Sequence, residues 1–407
     1  MQTTALSLLG SRMMQMPTFV VIGNPGSRRV SLFQAALAER DLPPARLVAY
    51  ADLMAGRVSL PDVVPGGAVV RIESPGKDTE VERALLALGA EMPDIGDYAR
   101  LPREQVEQMV FERGEIICPR QWYLGFCGVL DRITAQLARC SPHYLMNDPA
   151  EIALMFDKPA CHTHLVDHQI PVAPALGAVH SFNELIERMQ QSRCSRVFVK
   201  LAHGSSASGV VAYQFSGNRH QVTTTVEMVR ENGTLRLFNS RRLRVYRDVH
   251  EIATLINALC QHHVHVERWL PKAGFCQQSF DLRIVVIAGQ VQHTVVRLSR
   301  SPMTNLHLLN QRGDLSALLA EMGTTAWDAI RHTSEHAMDC FPRSLYAGLD
   351  LLVRPGYERH AVLEMNAFGD LLPDVLFDGK DTYGAEIDAV LSRVARKAVW
   401  NDNAECA

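Results

Sequence analysis

Arg196-Val-Phe-Val-Lys-Leu-Ala-His-Gly-Ser-Ser-Ala-Ser-Gly-Val-Val-Ala-Tyr213 reads as a strand, a small-residue loop and a second strand in immediate succession. Val197, Phe198 and Val199 are β-branched or aromatic and predict a buried strand with Lys200 at its exit. Residues 203–209 are almost all small, so backbone N–H groups there can approach an anion with no side chains in the way. Residues 210–213 return to an apolar strand pattern. A Walker-type loop would run into a helix and carry Gly-Lys-Ser or Gly-Lys-Thr. Here the lysine precedes the loop and a strand follows it, which is the order of a hairpin lid with a cation at its base. Taken alone, the stretch reads equally well as a Gly/Ser-rich surface turn.

The chain has 407 residues, more than one hydrophobic core usually serves, so two or three domains are expected. With 47% hydrophobic and 21% charged residues it has a globular balance. A net charge of −3 with acids and bases interspersed argues against a nucleic-acid partner, while leaving room for a local cationic cluster around a small anion. Nine cysteines show no CxxC pair, so reduced thiols and a cytoplasmic setting are expected. Residues 1–16 hold one basic residue, Arg12, in a weakly apolar stretch and read as neither a signal peptide nor a membrane span.

Upstream of the lid, residues 18–22 form a strand pattern. The turn Gly23-Asn24-Pro25-Gly26-Ser27 and a helical pattern to Arg40 follow, as at the opening of an α/β domain. The full G-x-G-x-x-G is missing, and Asn24 and Ser27 read first as turn and cap chemistry. Further strands are expected at 47–50 and 68–72, with helices near 78–88 and 103–113. Trp122 and Phe126 precede a helical run at 129–138 and read as core, with Arg120 a candidate partner for a carboxylate or phosphate. A Ser141-Pro142 break and the Asn147-Asp148-Pro149 turn place a domain boundary near residue 148. A helix over 151–168 is interrupted at Asp157-Lys158-Pro159, and Ser181 with Glu184 marks the next helix start.

Two clusters, Cys161, His162, His164 and His168, and Cys260, His262, His263 and His265, raise a metal reading, but neither has a matched zinc spacing. A hairpin is expected over 222–238 around Asn232-Gly233. Arg241, Arg242, Arg244 and Arg247 follow as a basic run, read more readily as a solvated loop than as an anion patch. A helix over 250–260 then leads into a strand from Val264 that stops at Pro271, a natural hinge.

Two further hairpins carry charge inside apolar strands. In the first, folded about Gly289, Asp281 lies opposite Arg297 and shares its face with Arg283. An exposed ion pair of little energetic value is the alternative. In the second, folded about Tyr357, Asp350 faces Glu364, with Asn366 two residues further on the same face. Facing carboxylates repel, and a hard divalent cation between them removes the conflict; Asp, Glu and Asn oxygens are what Mg²⁺ prefers. The alternative is a buried pair sharing a proton.

Lys158, Lys200 with its small-residue lid, Glu267 before a hinge, Asp281-x-Arg283, and Asp350 followed by Glu364-x-Asn366 occur in an order that resembles the ATP-grasp superfamily. The likeness runs over roughly residues 148–385, nearest to the branch of ribosomal-protein glutamate ligases and cyanophycin-type or lysine-biosynthesis ligases. It implies an α/β (α+β) fold of two α+β subdomains clasping ATP, preceded by a Rossmann-like pre-ATP-grasp domain over 1–147. The subdomains would span 148–266, with the lid loop 203–209, and 267–407, with the metal site.

The resemblance also implies ATP with Mg²⁺ or Mn²⁺ and assigns positions to them. Lys158 and Lys200 contact phosphate, His203, Gly204, Ser205, Ser206 and Gly209 form the lid, and Glu267, Arg268, Trp269 and Leu270 form the adenine hinge. Arg283 steadies the transferred phosphate, Arg297 is a second cation there, and Asn305 belongs to the loop near the acyl phosphate. Asp350, Glu364 and Asn366 hold the metal. Pro159 directly after Lys158 departs from the pattern. The implied reaction activates a small-molecule or peptide carboxylate as an acyl phosphate for attack by an amine or similar nucleophile. A small-molecule kinase and a nucleotide-binding regulator without turnover are the other readings; no membrane partner is expected, and a homo-oligomer is left open.

Overall fold

Three sheets organise the chain. The computed structural model describes residues 16–94, 96–205 and 207–404, with backbone alone for 307 and 395–404. The first sheet arises from β1 (Phe19–Gly23), α1 (Arg28–Ala38), β2 (Arg46–Ala49), α2 (Tyr50–Met54), α3 (Leu60–Val63) and β3 (Val69–Ile72). It continues through α4 (Thr79–Gly89), α5 (Arg103–Gln108), α6 (Pro119–Leu137) and β4 (Tyr144–Leu145). Its order is β2-β1-β3-β4, all parallel, and β1 and β3 are buried along their whole length, as parallel strands covered on both faces are. The expected helix at 129–138 begins ten residues earlier, because Pro119 occupies a first-turn position where its missing N–H costs nothing. Trp122 and Phe126 are therefore helical, Phe126 fully buried and Trp122 half-buried against Phe156. Arg120 finds its carboxylate inside the protein, in Asp94 at 2.5 Å.

After α7 (Pro149–Phe156), α8 (Lys158–Asp167) and α9 (Phe182–Gln191) comes the second sheet. It comprises β5 (Arg196–Leu201), β6 (Val211–Ser216), β7 (Arg219–Glu231), β8 (Thr234–Tyr246) and, after α10 (Val249–Cys260), β9 (Val264–Arg268). The order is β8-β7-β6-β5-β9, antiparallel throughout. Its core joins Leu185 and Met189 of α9 and Ile252, Leu255 and Ile256 of α10 to Val197, Val199 and Val266. The hairpin expected over 222–238 is longer than its apolar pattern. Arg241, Arg242 and Arg244, expected in a loop, belong to β8, where residues 240–243 bulge out opposite Thr225.

The third sheet contains β10 (Gly274–Phe275), β11 (Gln278–Ile287), β12 (Gln290–Ser299) and β13 (Gln311–Gly313). After α11 (Leu315–Met322) and α12 (Thr324–Asp339) it adds β14 (Tyr346–Val353) and β15 (His360–Asn366), and the chain ends in α13 (Thr382–Ala404). A 3₁₀ turn at Leu306–Leu308 lies between β12 and β13. The order is β13-β12-β11-β14-β15, with β10 pairing beside β11. The result is a mixed α/β fold, one parallel sheet followed by two antiparallel ones. α7 and α8 bury Ile152, Met155, Cys161 and Leu165 in a core shared by the first and third sheets. The start of α8 also reaches the second sheet, since the Lys158 N–H donates to Ala202 O at 3.2 Å. A cleft thus opens between the second and third sheets with α8 at its end.

Among the described residues every cysteine is free, no His/Cys/Asp/Glu group of three or more stands ready to hold a metal, and no helix is long and apolar enough to cross a membrane. The two histidine clusters are internal hydrogen-bonding groups. His162 and His164 meet the carbonyls of Ala173 at 2.8 Å and Cys340 at 2.9 Å, and His263 meets Arg120 at 3.2 Å. The reading of residues 1–16 as neither leader nor span falls almost wholly outside the described residues.

Candidate functional site

The two lysines enter the cleft from different elements, Lys158 from α8 at its end and Lys200 from the second sheet. Asp157 caps α8 by accepting from the Ala160 N–H at 3.0 Å, so Lys158 is the first helical residue and Pro159 the second. Pro159 therefore leaves the helix start undisturbed. From there Lys158 Nζ donates to Gly204 O at 2.6 Å and lies 2.9 Å from Glu364 Oε1. Lys200, near the end of β5, reaches Glu267 Oε1 on the neighbouring β9 at 2.5 Å. Burial works against the Lys200 charge, but Glu267, Glu364 and Asp350 outweigh it and raise its pKa. Burial likewise opposes the Glu267 carboxylate, yet Lys200 and His265 hold its pKa down at about 2.

On the third sheet both expected registers are present, Asp281 opposite Arg297 and Asp350 opposite Glu364. Arg283 Nε stands 2.7 Å from Asp350 Oδ1 without hydrogen-bond geometry, and Arg297 spans Asp281 at 2.7 Å and Asp350 at 3.2 Å. Glu364 is desolvated, but Lys158, Lys200 and Arg283 keep its pKa below the ordinary value. Asn366 pairs with Gly348, two residues from Asp350, and its buried Nδ2 has no hydrogen-bond partner. Lys158, Lys200, Arg283, Arg297, Asp350, Glu364 and Asn366, drawn from α8, β5, β11, β12, β14 and β15, thus meet in one charged site.

Lys272 belongs with them and was not anticipated. Its ammonium lies 3.0 Å from Asp281 Oδ2 and 2.7 Å from Thr304 Oγ1, and Thr304 donates in turn to Asp281. Burial pulls the Lys272 pKa down against the attraction of Asp281. Just past a strand-ending proline, it read as the end of a hinge; the signal was a lysine followed nine residues later by an aspartate in an apolar strand. With it, five cations face the four carboxylates Glu267, Asp281, Asp350 and Glu364, leaving an excess of positive charge for an anion.

The loop after β5 is built for close backbone approach. At Gly209, φ is +68° and an added Cβ would stand 2.3 Å from Leu201 Cδ1. Gly204 offers its carbonyl to Lys158, and Ser205 offers its own to the Ser208 N–H at 2.8 Å. Thr225 Oγ1 ties Ala207 O at 2.9 Å and Thr224 Oγ1 ties Val210 O at 2.7 Å, so β7 carries the loop. Ser206 lies outside the described residues. His203, expected to cover the phosphates, turns inward instead. Its Nε2 lies 3.1 Å from Asp157 and its ring stacks on Tyr123 at 4.1 Å, so it anchors the base of the lid.

Of the expected hinge, Glu267 faces the site, while the Arg268 side chain donates away from it, to Ser192 O. Trp269 packs on Phe198 at 5.3 Å, its backbone N–H donating to Arg196 O at 3.1 Å, and Leu270 is half-buried just beyond β9. Asn305 caps the 3₁₀ turn and accepts from Asn310 Nδ2 at 3.0 Å. It is joined to the charged cluster through its neighbour Thr304 and not by its own side chain. A narrow cleft beside Lys158 is lined by His162, His265, Val362, Leu363 and Glu364.

No family model and no curated protein matches the sequence. Solved structures do. D-cycloserine synthetase DcsG aligns over 93% of this chain and 99% of its own with a TM-score of 0.54 at 12% identity. The ATP-grasp ligase PsnB, complexed with precursor peptide PsnA2 and AMPPNP, aligns over 93% and 98% with a TM-score of 0.47 at 16% identity. D-alanine–D-alanine ligase from Bacillus anthracis aligns over 94% and 98% with a TM-score of 0.49 at 12% identity. At such identities the likeness is one of fold, and the DcsG alignment carries it across nearly the whole of both chains.

Proposed function

On the premise that this chain has the ATP-grasp fold, we propose that it is an ATP-dependent ligase of the carboxylate–amine type. The observation that carries this reading is the convergence of Lys158, Lys200 and Arg283 on Glu364, opposite Asp350. A cluster in which every acid already has a cation, with one cation to spare, is suited to exchange. An incoming triphosphate takes the lysines and arginines, and the carboxylates turn to a divalent ion. The donors fit Mg²⁺: two facing carboxylates, a buried Asp350 Oδ1 without a hydrogen bond, and the Asn366 side-chain carbonyl two residues along from Glu364. Mg²⁺ held by Asp350, Glu364 and Asn366 would supply charge neutralisation at the phosphate oxygens.

The chain's own residues do the rest. Lys158, Lys200 and Arg283 bind the phosphate oxygens and oppose their charge as a substrate carboxylate oxygen attacks the γ-phosphorus. The bond from that phosphorus to the β-bridging oxygen breaks and ADP leaves. The acyl phosphate is then attacked at carbon by an amine, which loses a proton as the carbon–oxygen bond breaks and phosphate departs. Water must be excluded from that intermediate, and the loop tied to Thr224 and Thr225 would cover it. His203 orients the loop through Asp157. By the same resemblance the adenine belongs along the Glu267–Leu270 segment at the end of β9.

ADP release measured across a panel of carboxylates and amines, with Glu364→Ala as control, tests the reading. Amine-dependent ADP release that Glu364→Ala abolishes supports it. Turnover with a carboxylate alone and no adduct would make the protein a kinase, and turnover unaffected by Glu364→Ala would remove the metal assignment.

A further inference from the structure

Arg71 is a charged residue in the middle of a buried parallel strand, and its side chain is completely excluded from solvent. Its guanidinium meets Glu73 at 2.6 Å, Asp370 at 2.5 Å and Glu386 at 2.5 Å, and lies 4.8 Å from the ring centre of Phe33 and 4.9 Å from that of Tyr346. Arg29, from the first turn of α1, takes the other oxygen of Asp370 at 2.5 Å and also donates to Phe368 O. Around them Glu73 Oε2, Glu386 Oε1 and the Tyr346 and Tyr383 hydroxyls are buried without hydrogen-bond partners. A desolvated network with that many unmet groups is a poor source of stability, and what it does supply is fixed geometry.

The geometry it fixes lies at the charged cleft. Phe368 and Asp370 belong to the turn that leaves β15 directly after Asn366, closed by Gly369 N–H to Asn366 O at 3.0 Å. Gly369 is wedged so tightly that an added Cβ would stand 2.5 Å from the Gly348 Cα and 2.8 Å from Arg283 Nη1. Gly348 is the partner of Asn366 in the β14–β15 ladder. Arg71 of the first sheet and Arg29 of the helix α1 therefore grip a turn that touches Arg283 on one side and continues Asn366 on the other.

We propose that Arg29 and Arg71 are positioning residues for the phosphoryl-transfer site, holding the turn 366–370 so that Asn366 and Arg283 keep their places. This rests on the ligase reading, and it makes the first sheet part of the active apparatus. Arg71→Met takes the shared cation from three buried acids and risks unfolding the protein, so Arg29, at 16% exposure, is the residue to change. Mn²⁺ is titrated into the full-length protein with AMPPNP and followed by electron paramagnetic resonance, alongside ADP release and thermal melting.

Arg29→Ala is expected to weaken Mn²⁺ binding and lower kcat, each roughly 10–100-fold, as loss of an outer partner of a metal site does. The KM for ATP should stay within about twofold, because Lys158 and Lys200 are untouched. Arg29→Lys should recover part of the loss, and Arg40→Ala, in the turn just after the same helix and paired with Asp388, should show none of it. Arg29→Ala protein that melts normally and binds Mn²⁺ as the unsubstituted protein does would overturn the positioning role and leave the ligase reading intact. Unsubstituted protein that binds neither AMPPNP nor Mn²⁺ would overturn both.

Discussion

Lys200→Met separates structural from chemical roles in the site. Lys200 and Glu267 are 2.5 Å apart, with side chains 13% and 4% exposed. Removing the ammonium leaves a desolvated carboxylate with only His265 nearby, at 3.6 Å. Against burial, the site holds Glu267 down from 4.5 to about 2, worth about 3 kcal/mol at about 1.4 kcal/mol per pKa unit. That agrees with the roughly 3–5 kcal/mol lost when one partner of a buried pair is deleted. Urea denaturation at pH 7 should show a loss of about 3 kcal/mol for Lys200→Met, most of it regained in the Lys200→Met/Glu267→Gln double variant, with a coupling energy above about 2 kcal/mol. ADP release should stay lost in the double variant, because the phosphate still lacks its cation. A single-variant cost below about 1 kcal/mol, or ADP release restored in the double variant, would refute the reasoning.

Three other outcomes follow from the same geometry. Because the folded pKa of Glu267 is depressed, its stabilisation is complete above about 4.5 and is lost as pH falls toward about 2. The stability gap between the unsubstituted protein and Glu267→Gln should therefore narrow over that range in urea titrations, and a constant gap would contradict it. Gly369→Ala should cost more than Gly209→Ala, since its Cβ would strike the Gly348 backbone at 2.5 Å, whereas at Gly209 the obstacle is the movable end of Leu201. Calorimetry is expected to give roughly 3 kcal/mol or more for the first and about 1 kcal/mol for the second. Thr304→Val removes the hydroxyl between Lys272 and Asp281; a loss of about 1–3 kcal/mol is expected in chemical denaturation, and no change would deny that the cluster holds this loop.

Much of the site was legible because charges stand out in apolar strands. Asp281 opposite Arg297 and Asp350 opposite Glu364 were read by folding each hairpin about one central residue, and both pairs form. The path to them differs from that reading. β11 turns into β12 through Ala288 and Gly289, both with positive φ, a two-residue turn that alone would offset the pair by one. A bulge placing Gln292 and His293 opposite Val285 restores it. In the second hairpin the extra residue is Leu363, which the bulge leaves lining the cleft.

Other features were hidden for physical reasons. Arg244 sits in a strand because β7 supplies its ladder partner, Thr224, while Arg241 and Arg242 lie in the bulge, and an exposed edge needs no alternating pattern. His203 reads as a lid residue by position, yet the cap at Asp157, distant in sequence, draws it inward. Arg71 is one polar letter in an apolar run, and its partners Asp370 and Glu386 lie about three hundred positions away. Only the folded chain brings such groups together.

In the ligase reading one triphosphate sits among Lys158, Lys200, Arg283, Asp350 and Glu364. A crystal structure of the protein with AMPPNP and Mg²⁺ tests it directly. Phosphate oxygens are expected within hydrogen-bond reach of both lysine ammonium groups, with the ion between those oxygens and the Asp350 and Glu364 carboxylates. Nucleotide seated at the Gly23–Ser27 turn of the first sheet, with the Lys158–Glu364 and Lys200–Glu267 pairs unbroken, would contradict it.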